Sequence, residues 1–515
     1  MTKFLSGFNA IVWGAPALVM ILGVGLYLSL RLGFVQLTWL PRAVGTFLDK
    51  LRSGKSTNGG VTPFQALCTA LAATVGTGNL VGVAGAICLG GPGSIFWMWI
   101  CGVLGMVTKF AEATLAVRYR VKSADGYTGG PMYVITQGLG KRYSWLATAY
   151  CLFGVVAAFG VGNATQINAV VTGINGVLTR FGREESWRGN FAIGIILAVL
   201  VGAMLLGGAK RIGAAAERLV PFVSAAYILM CAGVLVLRFR EIPGAFSAII
   251  QGAFSPRAVT GGMLGSAFQA LRVGCSRGVF TNEAGMGTAS IAHASAEVSH
   301  PAEQGLMGIM EVFLDTILIC TLTALVILVS GIPIPYGVDA GAELTTQAFT
   351  AIYGETAALM IALALVCFAI ATVLGWGLYG ARCAEFLFGE KAWSRFALAQ
   401  TATVILGSVL DTGTVWQLSE AVNGLMVIPN LIALAALTPE VVRLTNEYRK
   451  SGGRAASGGN YADFHQCEPV RTLAHAKIPS LCGKSQKRGE ENLPSEYRPA
   501  RSAHAGGILS GHPRL

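Results

Sequence analysis

Residues 68–87 read Cys68-Thr-Ala-Leu-Ala-Ala-Thr-Val-Gly-Thr-Gly-Asn-Leu-Val-Gly-Val-Ala-Gly-Ala-Ile87, an apolar segment with Gly76-Thr77-Gly78-Asn79 near its middle. Apolar helix is expected on both sides, within a stretch (62–89) long enough to cross a bilayer. Two glycines, a threonine and an asparagine at that depth invite the chain to leave the α-helix. Unwound backbone survives in a membrane only where protein or a water-filled cavity receives its polar groups. The half-helix after the break offers free N–H groups and the positive end of its dipole, which suit a carboxylate. Carbonyls released by the half before it suit a small cation. The same residues also fit a plainer reading, close helix packing through Gly78 and Gly82 as a small-xxx-small pair.

The rest of the chain puts this segment in lipid. Of 515 residues, 53% are hydrophobic and 12% charged, with 67 glycines and a mean hydropathy of +0.59. Soluble domains carry about 25% charged residues, so an ordinary soluble enzyme and a disordered assembly are both excluded. Eleven spans are expected, at 8–31, 62–89, 93–117, 143–172, 190–208, 214–237, 259–286, 304–330, 355–381, 393–410 and 415–438. The first is too long for a signal-peptide core of about 7–15 residues. Nine of the 11 cysteines fall in apolar stretches and two, Cys467 and Cys482, near the end, without disulfide or metal spacing. They read as small apolar packers.

The net charge of +12 describes orientation. Arg42, Lys50, Arg52 and Lys55 follow the first span, Arg118, Arg120, Lys122, Lys141 and Arg142 the third, and Lys210, Arg211 and Arg218 the fifth. The loop after span eight holds Asp339, Glu343 and Glu355 and no base, and the loop after span six, with Arg238, Arg240 and Arg257, is a mild exception. The positive-inside rule then predicts an outside N-terminus and a cytoplasmic C-terminus, and no nucleic-acid partner. From about 446 the chain turns to Gly, Ser, Arg, Lys and His, a composition expected to stay disordered. It reads as a dispensable extension, with a regulatory tail as the alternative.

Other polar residues interrupt the spans. Span four carries Gly160-Val-Gly-Asn163-Ala-Thr165-Gln166-Ile-Asn168, and Asn163 and Gln166, three apart, are expected to share a face. They suit either the wall of a polar site or interhelical hydrogen bonding. Span seven ends Arg277-Gly-Val-Phe280-Thr-Asn282-Glu283-Ala-Gly285-Met-Gly287, a second candidate break. Thr372 interrupts an otherwise apolar stretch of span nine, where a lone threonine commonly bonds back to its own helix. Lys109 and Glu112 are expected to pair with one another, with Glu112 near enough to the inner face to reach water. Glu311 and Asp315, one turn apart, suit a proton relay, a cation-attracting pair or helix-to-helix bonding. His293 and His300 are placed in a polar loop and suggest no metal site. No P-loop, GxSxG, HExxH or Rossmann fingerprint stands in a fitting context, so no enzyme and no cofactor are expected.

Without its first span the chain divides into two sets of five, each led by an interrupted helix. Matching interruptions in two halves point to a transporter built from repeats, with its site at the midplane. An odd number per half requires inverted repeats. The expected organisation is therefore an extra N-terminal helix and basic loop (1–61), repeats at 62–240 and 241–440, and a tail at 441–515.

The chain also resembles the alanine or glycine:cation symporters. The likeness is carried by Val75-Gly-Thr-Gly-Asn79, Gly90-Gly-Pro-Gly93 with Phe96-Trp-Met-Trp99, Thr108-Lys-Phe-Ala-Glu112 and Gly129-Gly-Pro-Met-Tyr133. It continues through Gly162-Asn163 with Gln166, Thr281-Asn-Glu-Ala-Gly285, Asp315-Thr316 and Pro429-Asn-Leu431, and runs from about residue 10 to 440. Glu420 departs from the aspartate expected there, and the tail beyond 450 has no counterpart. The resemblance implies the amino acid–polyamine–organocation superfamily: an all-α polytopic membrane protein with a leucine-transporter-like 5+5 inverted repeat, one added N-terminal helix and 11 transmembrane helices. It implies sodium-coupled symport of a small neutral amino acid, alanine or glycine, by alternating access in a lipid membrane, by family habit a bacterial inner one. The substrate would meet Thr77, Gly78, Asn79, Asn163 and Gln166, with Phe280 limiting its size. Na+ would be held by Thr74, Val75 and Thr372. Glu112, Glu283 and Asp315 are candidates for gating or, in a proton-coupled alternative, for carrying the proton. A channel or a substrate sensor is the reading from another class.

Overall fold

The computed structural model describes residues 7–9, 12–53, 60–123, 126–180, 182–255, 267–338, 341–410 and 413–452, and these form a helical multi-pass membrane protein. The first long helix, α1 (Ala15–Leu32), starts with Pro16 in its first turn, where a missing N–H leaves no bond unmade, and is stopped by Gly33 at a left-handed φ of 67°. An amphipathic helix, α2 (Leu40–Ser53), follows. The segment quoted above forms two helical pieces, α3 (Pro63–Thr74) and α4 (Val81–Gly90), with a short 3-10 turn at Thr77–Asn79 and a bend of 59° between them. Then α5 (Gly93–Arg118) runs unbroken for 26 residues, about 39 Å at the helical rise and more than a hydrocarbon core of about 30 Å requires.

A small antiparallel hairpin, β1 (Val121–Ser123) with β2 (Gly126–Thr128), sets Val121 opposite Thr128. Span four is α6 (Ser144–Phe159) and α7 (Thr165–Arg180), joined through a π turn at Gly160–Ala164. After α8 (Trp187–Leu205) and α9 (Gly208–Leu237) comes α10 (Ile242–Phe254). The second interruption separates α11 (Ala267–Asn282) from the short α12 (Thr288–His293). Next, α13 (Pro301–Val312) and α14 (Thr321–Val329) flank a π stretch at Phe313–Cys320, and α15 (Gly341–Tyr353) follows. The chain closes on α16 (Thr356–Phe388), α17 (Ala392–Val409) and α18 (Gly413–Lys450), the last continuing past the expected end at 438.

Among the described residues seven helices are long and apolar enough to cross a membrane, eight with the bent pair. The other three expected spans coincide with α1 and α11, which are shorter, and α17, whose apolar run is broken by Arg395, Gln400, Thr401 and Thr403. The beginning of span seven and the tail from 453 lie outside the described residues. Two helices, α10 and α15, stand where only loop was expected. At 13 residues each they are too short to register as spans.

Helices distant in sequence pack together: α5 lies against α11 and α13, and α3 against α9 and α16. Small residues bring these backbones together. A Cβ at Gly93 would stand 2.0 Å from the carbonyl carbon of Gly252 on α10, and one at Gly375 of α16 would stand 2.8 Å from the Ala73 nitrogen on α3. Without a hydrophobic force between helices in lipid, such packing supplies much of the association. Gly93→Ala should therefore lower the thermal midpoint in detergent, at about 1–3 kcal/mol for overpacking. Gly45→Ala on α2, with nothing near its Cβ position, should raise it, by about 1 kcal/mol at most.

Candidate functional site at the paired helix breaks

The first break is held by its own asparagine. After Val75 and Gly76 turn extended, the Gly76 N–H donates to Asn79 Oδ1 at 2.9 Å, and the Asn79 N–H donates back to the Gly76 carbonyl at 3.3 Å. Thr77 and Gly78 open the turn, where a helix leaves its first N–H groups without carbonyl acceptors. Thr77 Oγ1 donates to Gln166 Oε1 at 2.8 Å, while Gln166 Nε2 donates to the Val161 carbonyl, one of those loosened by the π turn. The expected wall from span four is thus in contact with the break through Gln166.

Thr372 lies against the other side of the same break. A Cβ at Gly76 would stand 2.4 Å from Thr372 Oγ1, and that buried hydroxyl has no protein hydrogen-bond partner. It does not bond back to its own helix, as Thr74 does with the Ala70 carbonyl at 3.3 Å. An orphaned hydroxyl facing unwound backbone is what a hard cation with a taste for oxygen ligands fits. On the α11 side, Cβ positions at Gly78 and Gly82 lie 3.1 and 3.7 Å from Thr281 Cγ2, with Phe280 Cδ1 at 3.9 Å from the first. The close-packing reading and the broken-helix reading of Gly78 therefore hold together.

Asn163 goes elsewhere. Its Nδ2 donates to the Gln400 carbonyl on α17 at 2.7 Å, and Gln400 Nε2 donates to the Ala158 carbonyl at 3.0 Å. The π turn widens the helix at Gly160–Ala164, so residues three apart no longer share a face and the two amides do not converge.

The second break turns on Glu283, a non-glycine residue at φ 55°, followed by Gly285 and Gly287 at 89° and 77°. A left-handed glutamate is strained, and strain of this kind gathers at functional sites. The Ala284 N–H donates to Asn282 Oδ1 at 2.9 Å, and Thr288 Oγ1 donates to Glu283 Oε2. Glu112 Oε1 accepts from the N–H groups of Gly285 and Gly287 at 3.0 and 3.2 Å and from Asn430 Nδ2 at 2.7 Å.

That arrangement corrects the expected Lys109–Glu112 pair and the expected access of Glu112 to water. Lys109 instead pairs with Glu311 at 2.9 Å, both side chains fully buried, and Glu112 is buried as well. His293 lies inside α12 rather than in a polar loop, 2.9 Å from Glu311 Oε2 and 2.7 Å from Gln304. His300 caps α13. Glu311 is thus taken up by Lys109 and His293, and Asp315 by Asn79 and Thr316. The sequence reading missed Gln400 and the role of Asn430, each an amide in an apolar run, which is the same signal that exposed Asn163. Glu420 lies among residues whose side chains are not described.

Two interrupted helices facing one another across buried polar groups are the arrangement of a membrane transporter. The chain belongs to the sodium:alanine symporter family, whose profile matches residues 1–459. Among similar proteins, the sodium/alanine symporter AgcS of Methanococcus maripaludis is 41% identical over 459 residues, 87% of this chain and 98% of that one. The probable sodium/glutamine symporter GlnT of Bacillus subtilis is 36% identical over 444 residues, covering 86% and 89%. A putative sodium/proton-dependent alanine carrier of the same organism, YrbD, is 34% identical over 466 residues, covering 87% and 93%.

Glu112→Ala should destabilise the protein measurably in detergent, at about 1–3 kcal/mol for each buried amide left without an acceptor. Glu112→Gln, which keeps one acceptor oxygen, should melt between that variant and the wild type. Identical melting of all three would contradict the role given to this carboxylate.

Proposed function

We propose that the protein couples inward movement of Na+ to uptake of a small neutral amino acid, alanine or glycine, by alternating access. The observation that carries this reading is the first break, which presents Thr77 and Gln166 on one side and the orphaned Thr372 hydroxyl on the other. The substrate carboxylate sits at the N–H groups around Thr77, Gly78 and Asn79, and its ammonium faces carbonyls of the second break and the Gln166 amide. Phe280, half-buried beside Gly78, limits side-chain length. Na+ is held by carbonyls at Thr74 and Val75 and by Thr372. Asn163 anchors the wall that carries Gln166.

The architecture in this reading is an inverted 5+5 repeat, 62–240 and 241–440, behind one extra helix. It has 11 spans, an outside N-terminus and a cytoplasmic C-terminus. The names of similar proteins support alanine and sodium without deciding this chain's substrate. Proton coupling is the second reading, favoured by the buried carboxylates Glu283 and Asp315 and by Glu112 Oε2, which lacks a protein partner.

Proteoliposomes should accumulate labelled alanine when an inward Na+ gradient is imposed, and Asn79→Ala or Gln166→Ala should raise the apparent KM or abolish uptake. Equal uptake with and without the gradient would refute sodium coupling. Uptake driven by a pH gradient in sodium-free buffer would select the proton reading.

A further inference from the structure

One carboxylate joins the two breaks. Asn79, whose Oδ1 accepts from the Gly76 N–H, donates through Nδ2 to Asp315 Oδ1 at 2.7 Å. On the opposite side Thr316 Oγ1 donates to Asp315 Oδ2 at 2.7 Å, Asn282 Nδ2 donates to Thr316 Oγ1 at 3.1 Å, and Asn282 Oδ1 accepts from the Ala284 N–H. The chain therefore runs from a backbone amide of the first break to a backbone amide of the second. Every donor in it points toward Asp315. Asn79, Asn282, Asp315 and Thr316 are all fully buried from bulk solvent, and hydrogen bonds in series polarise one another.

The direction of the bonds gives the carboxylate a specific task. A group that only accepts, on both oxygens, satisfies both arms at once. An amide in its place would keep Asn79 on its oxygen only by turning its NH2 to the Thr316 hydroxyl, which reverses the direction of that arm. The π stretch at Phe313–Cys320 places Asp315 and Thr316 side by side between the breaks, and local widening of this kind recurs at functional sites.

We propose that Asp315 is a positioning residue that locks the two interrupted helices into one unit, so that cation occupancy at the first break is transmitted through Thr316 and Asn282 to the backbone at the second. This rests on the sodium-coupled reading above and deepens it. Asp315, Thr316 and Asn282 touch neither substrate nor ion in that reading, and Asn79 joins them to the first break. Loss of the relay appears as lost coupling, with both ligands still bound.

The test uses the full chain in phosphatidylethanolamine/phosphatidylglycerol proteoliposomes, with the KM for alanine measured from low to saturating Na+. In the wild type, Na+ lowers that KM. Thr316→Val removes the bridging hydroxyl at nearly constant volume and should reduce this sodium-dependent change by about fivefold or more, within the usual range of coupling factors. It should leave the KM at low Na+ near the wild-type value. Thr316→Ser restores the hydroxyl and should restore the coupling, which separates the relay from a packing role. Asp315→Leu, which removes both acceptor oxygens, should resemble Thr316→Val. A sodium-sensitive wild type with an equally sensitive Thr316→Val overturns the proposal alone, as does failure of Thr316→Ser to restore coupling. A wild type whose alanine KM ignores Na+ overturns the sodium reading and this proposal with it.

Discussion

A polypeptide that leaves the α-helix inside hydrocarbon must find partners for the backbone groups it releases, at several kcal/mol per group left without one. This requirement governs the molecule more than any apolar contact does. At the first break Asn79 takes the Gly76 N–H; at the second, Asn282 and Glu112 take three more. The elements around the breaks are arranged to deliver these side chains: α5 carries Glu112, the π stretch before α14 carries Asp315, and α18 brings Asn430. Glycines also let α5 approach α10 and α16 approach α3 closely.

The buried charges follow the same logic. A fully buried Lys109–Glu311 pair adds little net stability, because desolvation offsets much of its attraction, yet removal of either partner strands a charge at a typical cost of about 3–5 kcal/mol. His293 and Gln304 extend that pair into a bonded set joining α5, α12 and α13. It sits beside the second break and leaves Glu112 free to serve backbone amides.

What the sequence makes legible is whatever violates the expectations of a membrane helix. Gly76–Asn79 and Asn282–Gly287 stand out because helix-breaking and polar residues in mid-span have few explanations. Gln166 was legible on the same ground. Partners distant in sequence were not: the i,i+3 rule proposed Lys109 with Glu112, whereas the lysine pairs 202 residues away. Nor do the π turns at Gly160–Ala164 and Phe313–Cys320 leave a mark in composition, although the first separates Asn163 from Gln166 and the second aligns Asp315 with Asn79. Helices α10 and α15 escaped because amphipathic segments of 13 residues carry no span-length signal.

In this account one broken helix serves amino acid and cation from adjoining positions, so each ligand must tighten the binding of the other by the same factor. Equilibrium binding to the purified protein tests this directly: alanine affinity with and without Na+, set against Na+ affinity with and without alanine. The account predicts two equal factors, both greater than one. Two ligands that bind independently, each with an affinity unchanged by the other, would contradict it.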